Sequence, residues 1–107
     1  MKIQLDECVR VQVRNALVGH EVSTAQKMGW GGISNGALLQ RAEQAGFDLF
    51  IVADRNLRYQ QSLKGRKLAI LELWTNHRPR LEKHLDKIKT AAESSSAGEY
   101  VALENPD

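Results

Sequence analysis

The hydrophobic positions of the chain follow two alternating patterns. Val9, Val13 and Leu17 recur at the spacing of one helix face, and Gly19 then ends that helix. The same spacing returns in two further stripes, Leu38, Leu39, Ala42, Ala45 and Leu81, Leu85, Ile88. Short apolar runs lie between the stripes and are typical of buried strands. We predict five strands, at Ile3–Leu5, Glu21–Thr24, Leu49–Ala53, Leu68–Leu73 and Glu99–Leu103.

The alternation of strands and helices predicts the fold class. A further short helix is expected within Asp54–Leu63, so each strand is followed by a helix until the last strand. This order is typical of an α/β three-layer sandwich, with a mainly parallel sheet of four or five strands covered by helices on both faces. The last strand is expected at an edge, after a serine-rich connector, Ser94–Gly98, that is predicted to be flexible.

Composition indicates one globular domain over residues 1–107. The chain has 42% hydrophobic and 26% charged residues. Its single cysteine, Cys8, excludes an internal disulfide framework, and its longest apolar run, Leu49–Ala53, is far shorter than the roughly 20 residues of a membrane span. The charged N-terminus is unlike a secretory signal. We therefore expect a cytoplasmic protein that does not enter a membrane.

Acidic residues follow two of the predicted strands. Asp6 and Glu7 come after the first strand, and Asp54 comes after the third. Ligands of open α/β sheets bind just beyond the carboxyl ends of the strands, so these acids are expected in one cleft. Two carboxylates in a cleft repel each other unless a cation lies between them. Mg²⁺ suits such a site because it needs only one or two protein carboxylates besides waters and phosphate oxygens.

Basic and amide side chains are expected at the same edge. Asn35 follows the second strand, Asn56 the third and Arg78 the fourth. The net charge of +2 is too balanced to indicate a nucleic-acid binder by itself, so the placement of the charges decides. The stretch Arg55–Leu71 contains no acid and carries five cations, Arg55, Arg58, Lys64, Arg66 and Lys67. Such a stretch favours binding of a phosphodiester backbone, with a strong dependence on salt.

At these residues the chain resembles the PIN-like family, small proteins related to PIN nucleases and to the C-terminal domain of Mut-seven-type exonucleases. The resemblance covers roughly residues 1–80 and rests on an ordered set of short motifs. The matching pieces are Ile3–Glu7, Gly19–Val22, Gly29–Gly36, Gly46–Asp48, Ile51–Leu57 and Gln60–Leu63.

The resemblance implies a ribonuclease that depends on Mg²⁺ or Mn²⁺, acts on RNA and is often the toxin partner of an antitoxin protein. Asp6 and Asp54 match two of the family's metal-binding aspartates, and Glu7 would line the same cleft. Asn35 and Asn56 stand where the family has acids. An amide can coordinate through its carbonyl oxygen but adds no charge, whereas two-metal hydrolysis relies on acids holding both ions. The departures favour a one-metal site, a weak nuclease, or an inactive interaction module.

Other interpretations stay open at this point. Asp6 and Asp54 would each also serve as the cap of a following helix, and Asn35 as a helix start. The basic stretch would equally be a solvated face. A phosphoacceptor receiver-like domain would share the acidic edge but would need a lysine after a late strand, where Trp74–Asn76 stands instead. Homodimerisation through the last strand or the last helix is a further possibility.

Overall fold

A five-stranded parallel sheet forms the centre of the protein. The structure is a computed structural model that describes residues 1–6, 9, 11–24, 35–53 and 67–106. The strands lie in the order β2-β1-β3-β4-β5, and each neighbouring pair is parallel. The sheet confirms the predicted parallel α/β class, and β5 lies at an edge as predicted. The strands are β1 (Lys2–Leu5), β2 (Glu21–Thr24), β3 (Leu49–Val52), β4 (Ala69–Glu72) and β5 (Tyr100–Ala102).

Helices cover both faces of the sheet. A 3₁₀ helix, Val11–Ala16, and the helices α2 (Arg78–Glu82) and α3 (Leu85–Glu93) pack on one face, and α1 (Asn35–Gln44) packs on the other. We call the second face the α1 face. Within the described part of the chain, no helix is long and apolar enough to cross a membrane.

The core consists of two clusters, one on each face, because successive strand residues point in opposite directions. Ile3, Leu5 and Ile51 belong to the cluster under the 3₁₀ helix, α2 and α3. Phe50 and Ile70 belong to the cluster on the α1 face. All five side chains are fully buried, which explains why the strands of this sheet read as apolar runs rather than as alternating patterns.

Two predicted helices differ from the structure. The first is a 3₁₀ helix over Val11–Ala16. At its end, Leu17 N donates a hydrogen bond to Arg14 O (2.9 Å), three residues earlier, which is the spacing of a 3₁₀ helix. The last is divided into α2 and α3 because His84 leaves helical geometry (φ −129°, ψ 33°). Hydrophobic spacing does not detect such a break, since the stripe of Leu81 and Ile88 still faces the core on both sides of it. The helix predicted within Asp54–Leu63 lies outside the described residues.

The connector after α3 is hydrogen-bonded to the helix that precedes it. Ser94 Oγ donates to Thr90 O (2.6 Å), and Ser95 Oγ donates to Ala91 O (2.8 Å). Gly98 then turns the chain with a φ of 75°, a conformation that favours glycine. These serines therefore close the end of α3 and lead the chain into β5.

Candidate functional site

The candidate site lies where β1 and β3 meet at the carboxyl edge of the sheet. From β1 the chain reaches β2 through the 3₁₀ helix on one face, and from β2 it reaches β3 through α1 on the other face. β2 and β3 therefore flank β1 on opposite sides. In doubly wound sheets, this reversal of direction opens a crevice beyond the strand ends, and ligands bind in it.

Asp6 lies directly at this reversal. Its backbone N–H donates to Ile51 O (3.0 Å), so the residue continues the ladder between β1 and β3. Its backbone carbonyl accepts a hydrogen bond from Val9 N (2.9 Å) just beyond the end of β1. Asp6 is only 5% exposed. Its burial at the strand reversal makes Asp6 the first candidate for a functional acid.

Of the other acids and amides that were predicted at the site, the structure describes only some. Asn35 is the first residue of α1, as expected of a helix start. Ala53, the residue after β3, is partly buried in the core beside Asp6's strand, and Asp54 follows it in sequence. Five predicted site residues lie outside the described residues: Glu7, Asp54, Arg55, Asn56 and Arg58. The structure therefore places one of the two predicted metal ligands, Asp6, at the crevice.

Arg78 begins α2, on the chain segment that leaves the carboxyl end of β4. His77 N donates to Thr75 Oγ1 (3.1 Å) in the turn that leads into the helix. Arg78 Nε donates to Glu82 Oε1 (2.8 Å), and the two side chains are 57% and 43% exposed. An exposed pair of this spacing contributes only about 0.3–0.5 kcal/mol, so the guanidinium is readily released to another anion.

Sequence reasoning missed Gln4, a buried polar residue on β1. Gln4 is fully buried, and its Nε2 donates to Leu5 O (3.2 Å). Its Oε1 has no hydrogen-bond partner among the residues that the structure describes. A buried acceptor without a partner costs about 1–3 kcal/mol. The signal was a glutamine between Ile3 and Leu5, in a strand that the fold buries on both faces.

Glu72 is a second acid that sequence reasoning missed. It is the last residue of β4 and only 4% exposed, and it accepts a hydrogen bond from Tyr100 Oη (2.7 Å). Its register partner on β3 is Val52, which lies on the α1 face. The signal in the sequence was a lone glutamate within the apolar run Leu68–Trp74.

The Asp6 carboxylate is an oxygen donor, the type of ligand that hard cations such as Mg²⁺ and Mn²⁺ prefer. In residues 1–6, 9, 11–24, 35–53 and 67–106, no three His, Cys, Asp or Glu side chains converge as a metal-binding group. Glu72 lies two strands away from Asp6, because β3 runs between β1 and β4.

No protein-family model, no curated protein and no solved structure matches the chain. The carboxyl edge is therefore the feature from which a function has to be inferred. Its chemistry is a buried acid at a topological reversal, with basic residues in the segments that follow the neighbouring strands.

Proposed function

We propose that the protein is a PIN-like ribonuclease that depends on Mg²⁺ or Mn²⁺, with its active site at the carboxyl edge of β1 and β3. The observation that carries the proposal is the buried carboxyl group of Asp6 at the reversal of strand order, beside the strand that leads into Asp54. Carboxylate oxygens beyond the carboxyl ends of adjacent parallel strands are ligands that suit a hard divalent cation such as Mg²⁺.

Asp6 and Asp54 would hold the ion from two adjacent strands. When bound, the ion would polarise the scissile phosphate and lower the pKa of a coordinated water. Hydrolysis would add this water across the bond between phosphorus and the leaving sugar oxygen. The chain's other residues would line the cleft or hold the RNA backbone: Glu7, Asn35, Asn56, Arg55, Arg58 and Arg78.

The exposed guanidinium of Arg78 supports an RNA-facing role for the segment after β4. Its ion pair with Glu82 is a surface pair, so exchanging it for a phosphate oxygen loses little. Arginine also donates two parallel hydrogen bonds to a phosphate, which lysine does not. Arg55 and Arg58 would extend the same positive edge from the segment after β3.

The amides Asn35 and Asn56 favour a second candidate, a PIN-like interaction module with little or no activity. Neither amide contributes the charge that a second metal ion would require. In either form, the protein would fit the toxin side of a toxin–antitoxin pair, with an antitoxin segment covering the cleft.

Cleavage of RNA by matched variants tests the proposal. We expect the wild type to cleave single-stranded RNA with Mg²⁺ or Mn²⁺, and Asp6→Asn, which keeps the shape but removes the charge, to be at least about a hundredfold slower. Asp86→Asn, an exposed acid in the first turn of α3, is the matched control and should cleave like the wild type.

Two results would count against the enzyme. Equal cleavage by wild type and Asp6→Asn would place the chemistry elsewhere. If the wild type cleaves no RNA but binds Mn²⁺ through Asp6, the nuclease is excluded and the interaction module is supported.

A further inference from the structure

We propose that the solvent side of α2 and α3 binds the phosphate backbone of single-stranded RNA through a row of three cations. The row, which we call the basic row, consists of Arg80, Lys83 and Lys87, and all three residues are exposed. The inference rests on the proposed function, for which RNA is the substrate, and adds to it a second binding surface. None of the three residues lies in the basic stretch Arg55–Leu71 or in a motif of the PIN-like resemblance.

The spacing of the basic row places its members on one side of the helices. Residues three and four apart in a helix are neighbours on its surface. The break at His84 preserves this course, because His84 N donates to Leu81 O (3.1 Å) and Ile88 N donates to His84 O (3.2 Å). Arg80 and Lys87 directly precede Leu81 and Ile88, which are both buried in the same core cluster. The two cations therefore stand in the same relation to the core on either side of the break.

A second row on the same helices differs from the basic row in the balance of its charges. It also follows a spacing of three or four residues, and we call it the mixed row: Arg78, Glu82, Asp86, Lys89 and Glu93. Two of its acids are engaged within the protein, since Glu82 accepts a hydrogen bond from Arg78 (2.8 Å) and Glu93 lies 2.9 Å from His20 Nε2. The basic row contains no acid. Positive charge is therefore concentrated in one line of this surface instead of being interspersed with acids.

The line of cations fits a chain of phosphates. At a helical rise of about 1.5 Å per residue, the basic row extends over about 10 Å. Cations in such a line follow the sugar–phosphate backbone of a single strand and bind it irrespective of sequence. An anionic membrane fits less well, because a helix that lies in a membrane surface inserts apolar side chains. The apolar side of α2 and α3, with Leu81 and Ile88, is buried in the core instead.

The direction of the helices relates the basic row to the carboxyl edge. α2 follows the carboxyl end of β4, and α3 leads to β5, which is parallel to β4. The two helices therefore run from the carboxyl edge toward the amino ends of the strands. The basic row begins with Arg80 near the edge at which we propose cleavage, and it leads away from that edge.

RNA binding without metal tests the basic row separately from cleavage. We expect fluorescence anisotropy in EDTA to show that a labelled uridine oligomer binds, and that binding weakens as salt is raised. In a plot of the logarithm of the binding constant against that of the salt concentration, each phosphate contact with a single strand contributes about 0.7 to the slope. The double variant Lys83→Gln with Lys87→Gln loses two contacts, so its slope should be smaller by about 1.4.

The double variant Arg41→Gln with Lys89→Gln is the matched control. It removes the same charge from two exposed positions outside the basic row, one on α1 and one in the mixed row, and should keep the wild-type slope. Lys83→Arg with Lys87→Arg retains both charges of the basic row and should bind the oligomer like the wild type. This variant also covers the case in which the glutamine variant does not fold.

Three results would overturn the inference. An equal loss of slope in the two glutamine double variants would mean that net charge, and not the basic row, attracts the RNA. Unchanged binding by Lys83→Gln with Lys87→Gln would exclude the row directly. A wild type that binds vesicles of phosphatidylserine and phosphatidylcholine, but no uridine oligomer, would assign the row to a membrane instead.

The outcomes also separate this inference from the proposed function. Asp6→Asn should bind the oligomer in EDTA like the wild type, because the basic row needs no metal. If the wild type cleaves no RNA with Mg²⁺ or Mn²⁺ but binds the oligomer through Lys83 and Lys87, the nuclease fails and the basic row stands. If the wild type cleaves RNA and the lysines do not affect binding, the basic row fails and the nuclease stands.

Discussion

Three polar residues are buried within or directly after the strands: Gln4, Asp6 and Glu72. Gln4 and Glu72 pair in register with residues of the α1 face. Gln4 lies level with Phe50 and Ile70 in the register of the sheet, and Glu72 lies level with Val52. Polar and apolar side chains therefore stand side by side on this face. The residue-level reason for placing a ligand at the carboxyl edge is Asp6, which is buried directly after β1.

The hydrogen bond between Tyr100 and Glu72 is expected to stabilise the edge of the sheet. Tyr100→Phe removes the donor and leaves a buried carboxyl group with one hydrogen bond fewer, so the free energy of unfolding should fall by about 1–2 kcal/mol. Chemical denaturation measures the change. The same substitution in a Glu72→Leu background is the control and should cost much less. An equal cost in both backgrounds would mean that the tyrosine acts without the carboxyl group.

At the scale of elements, α1 ends in a hydrogen-bonded glycine cap. Phe47 N donates to Ala42 O (3.0 Å), and Gly46 N donates to Glu43 O (3.1 Å), which together form a Schellman motif. Gly46 has a φ of 85°, and Phe47 returns to pack in the same cluster as Ala42. The cap directs the chain into β3, and thereby toward the carboxyl edge.

Gly46→Ala should destabilise the protein by about 1 kcal/mol or slightly more. Apart from the chain neighbours of Gly46, no atom of the described residues lies within 4 Å of the added Cβ, so the cost comes from the positive φ. Thermal or denaturant unfolding measures it. Gln40→Ala, at an exposed position inside α1, is the control and should be neutral or slightly stabilising. A neutral Gly46→Ala would show that the helix end relaxes without cost.

A hydrogen bond between His20 and Glu93 joins α3 to the turn before β2. His20 Nε2 lies 2.9 Å from Glu93 Oε2. This hydrogen bond, helped by the charge of Lys89, lowers the pKa of Glu93 below its ordinary value of 4.5. A lowered pKa means that the stabilising contribution is present above 4.5 and is lost as the pH falls through the pKa of the folded protein.

We therefore expect the unfolding midpoint of Glu93→Gln to vary less with pH than that of the wild type, between about pH 5 and about pH 3. Glu104→Gln, an exposed acid in the segment after β5, is the control and should follow the wild type. A titration of the Glu93 carboxyl by NMR gives an independent reading. A titration midpoint of the Glu93 carboxyl group at or above pH 4.5 would contradict the role of His20.

At the scale of the whole molecule, much of the architecture could be predicted from hydrophobic spacing. The run Leu49–Ala53 indicates a strand that is buried on both faces, and the apolar stripe of α1 indicates a helix that is buried on one face. β3 and α1 are where these patterns predicted them. The break at His84 and the 3₁₀ helix could not be predicted in this way, because both keep the apolar residues facing the core while changing only the backbone.

The candidate site could be predicted only in outline. A rule of topology brings the residues after β1 and β3 to one edge, and that rule was enough to place Asp6 there. The burial of Gln4 and Glu72 could not be predicted in the same way, since each is a single polar residue within an apolar run. Only the folded structure shows that both are buried and belong to the α1 face.

The proposed ribonuclease requires one divalent ion shared by side chains that follow β1 and β3. The most direct measurement is a crystal structure of the full chain grown with Mn²⁺, with anomalous scattering used to locate the metal. A shared site would give one strong anomalous peak, bonded to carboxylate oxygens of both Asp6 and Asp54. A peak elsewhere, no peak at saturating Mn²⁺, or an Asp6 carboxyl group paired with a protein cation in that position would contradict it.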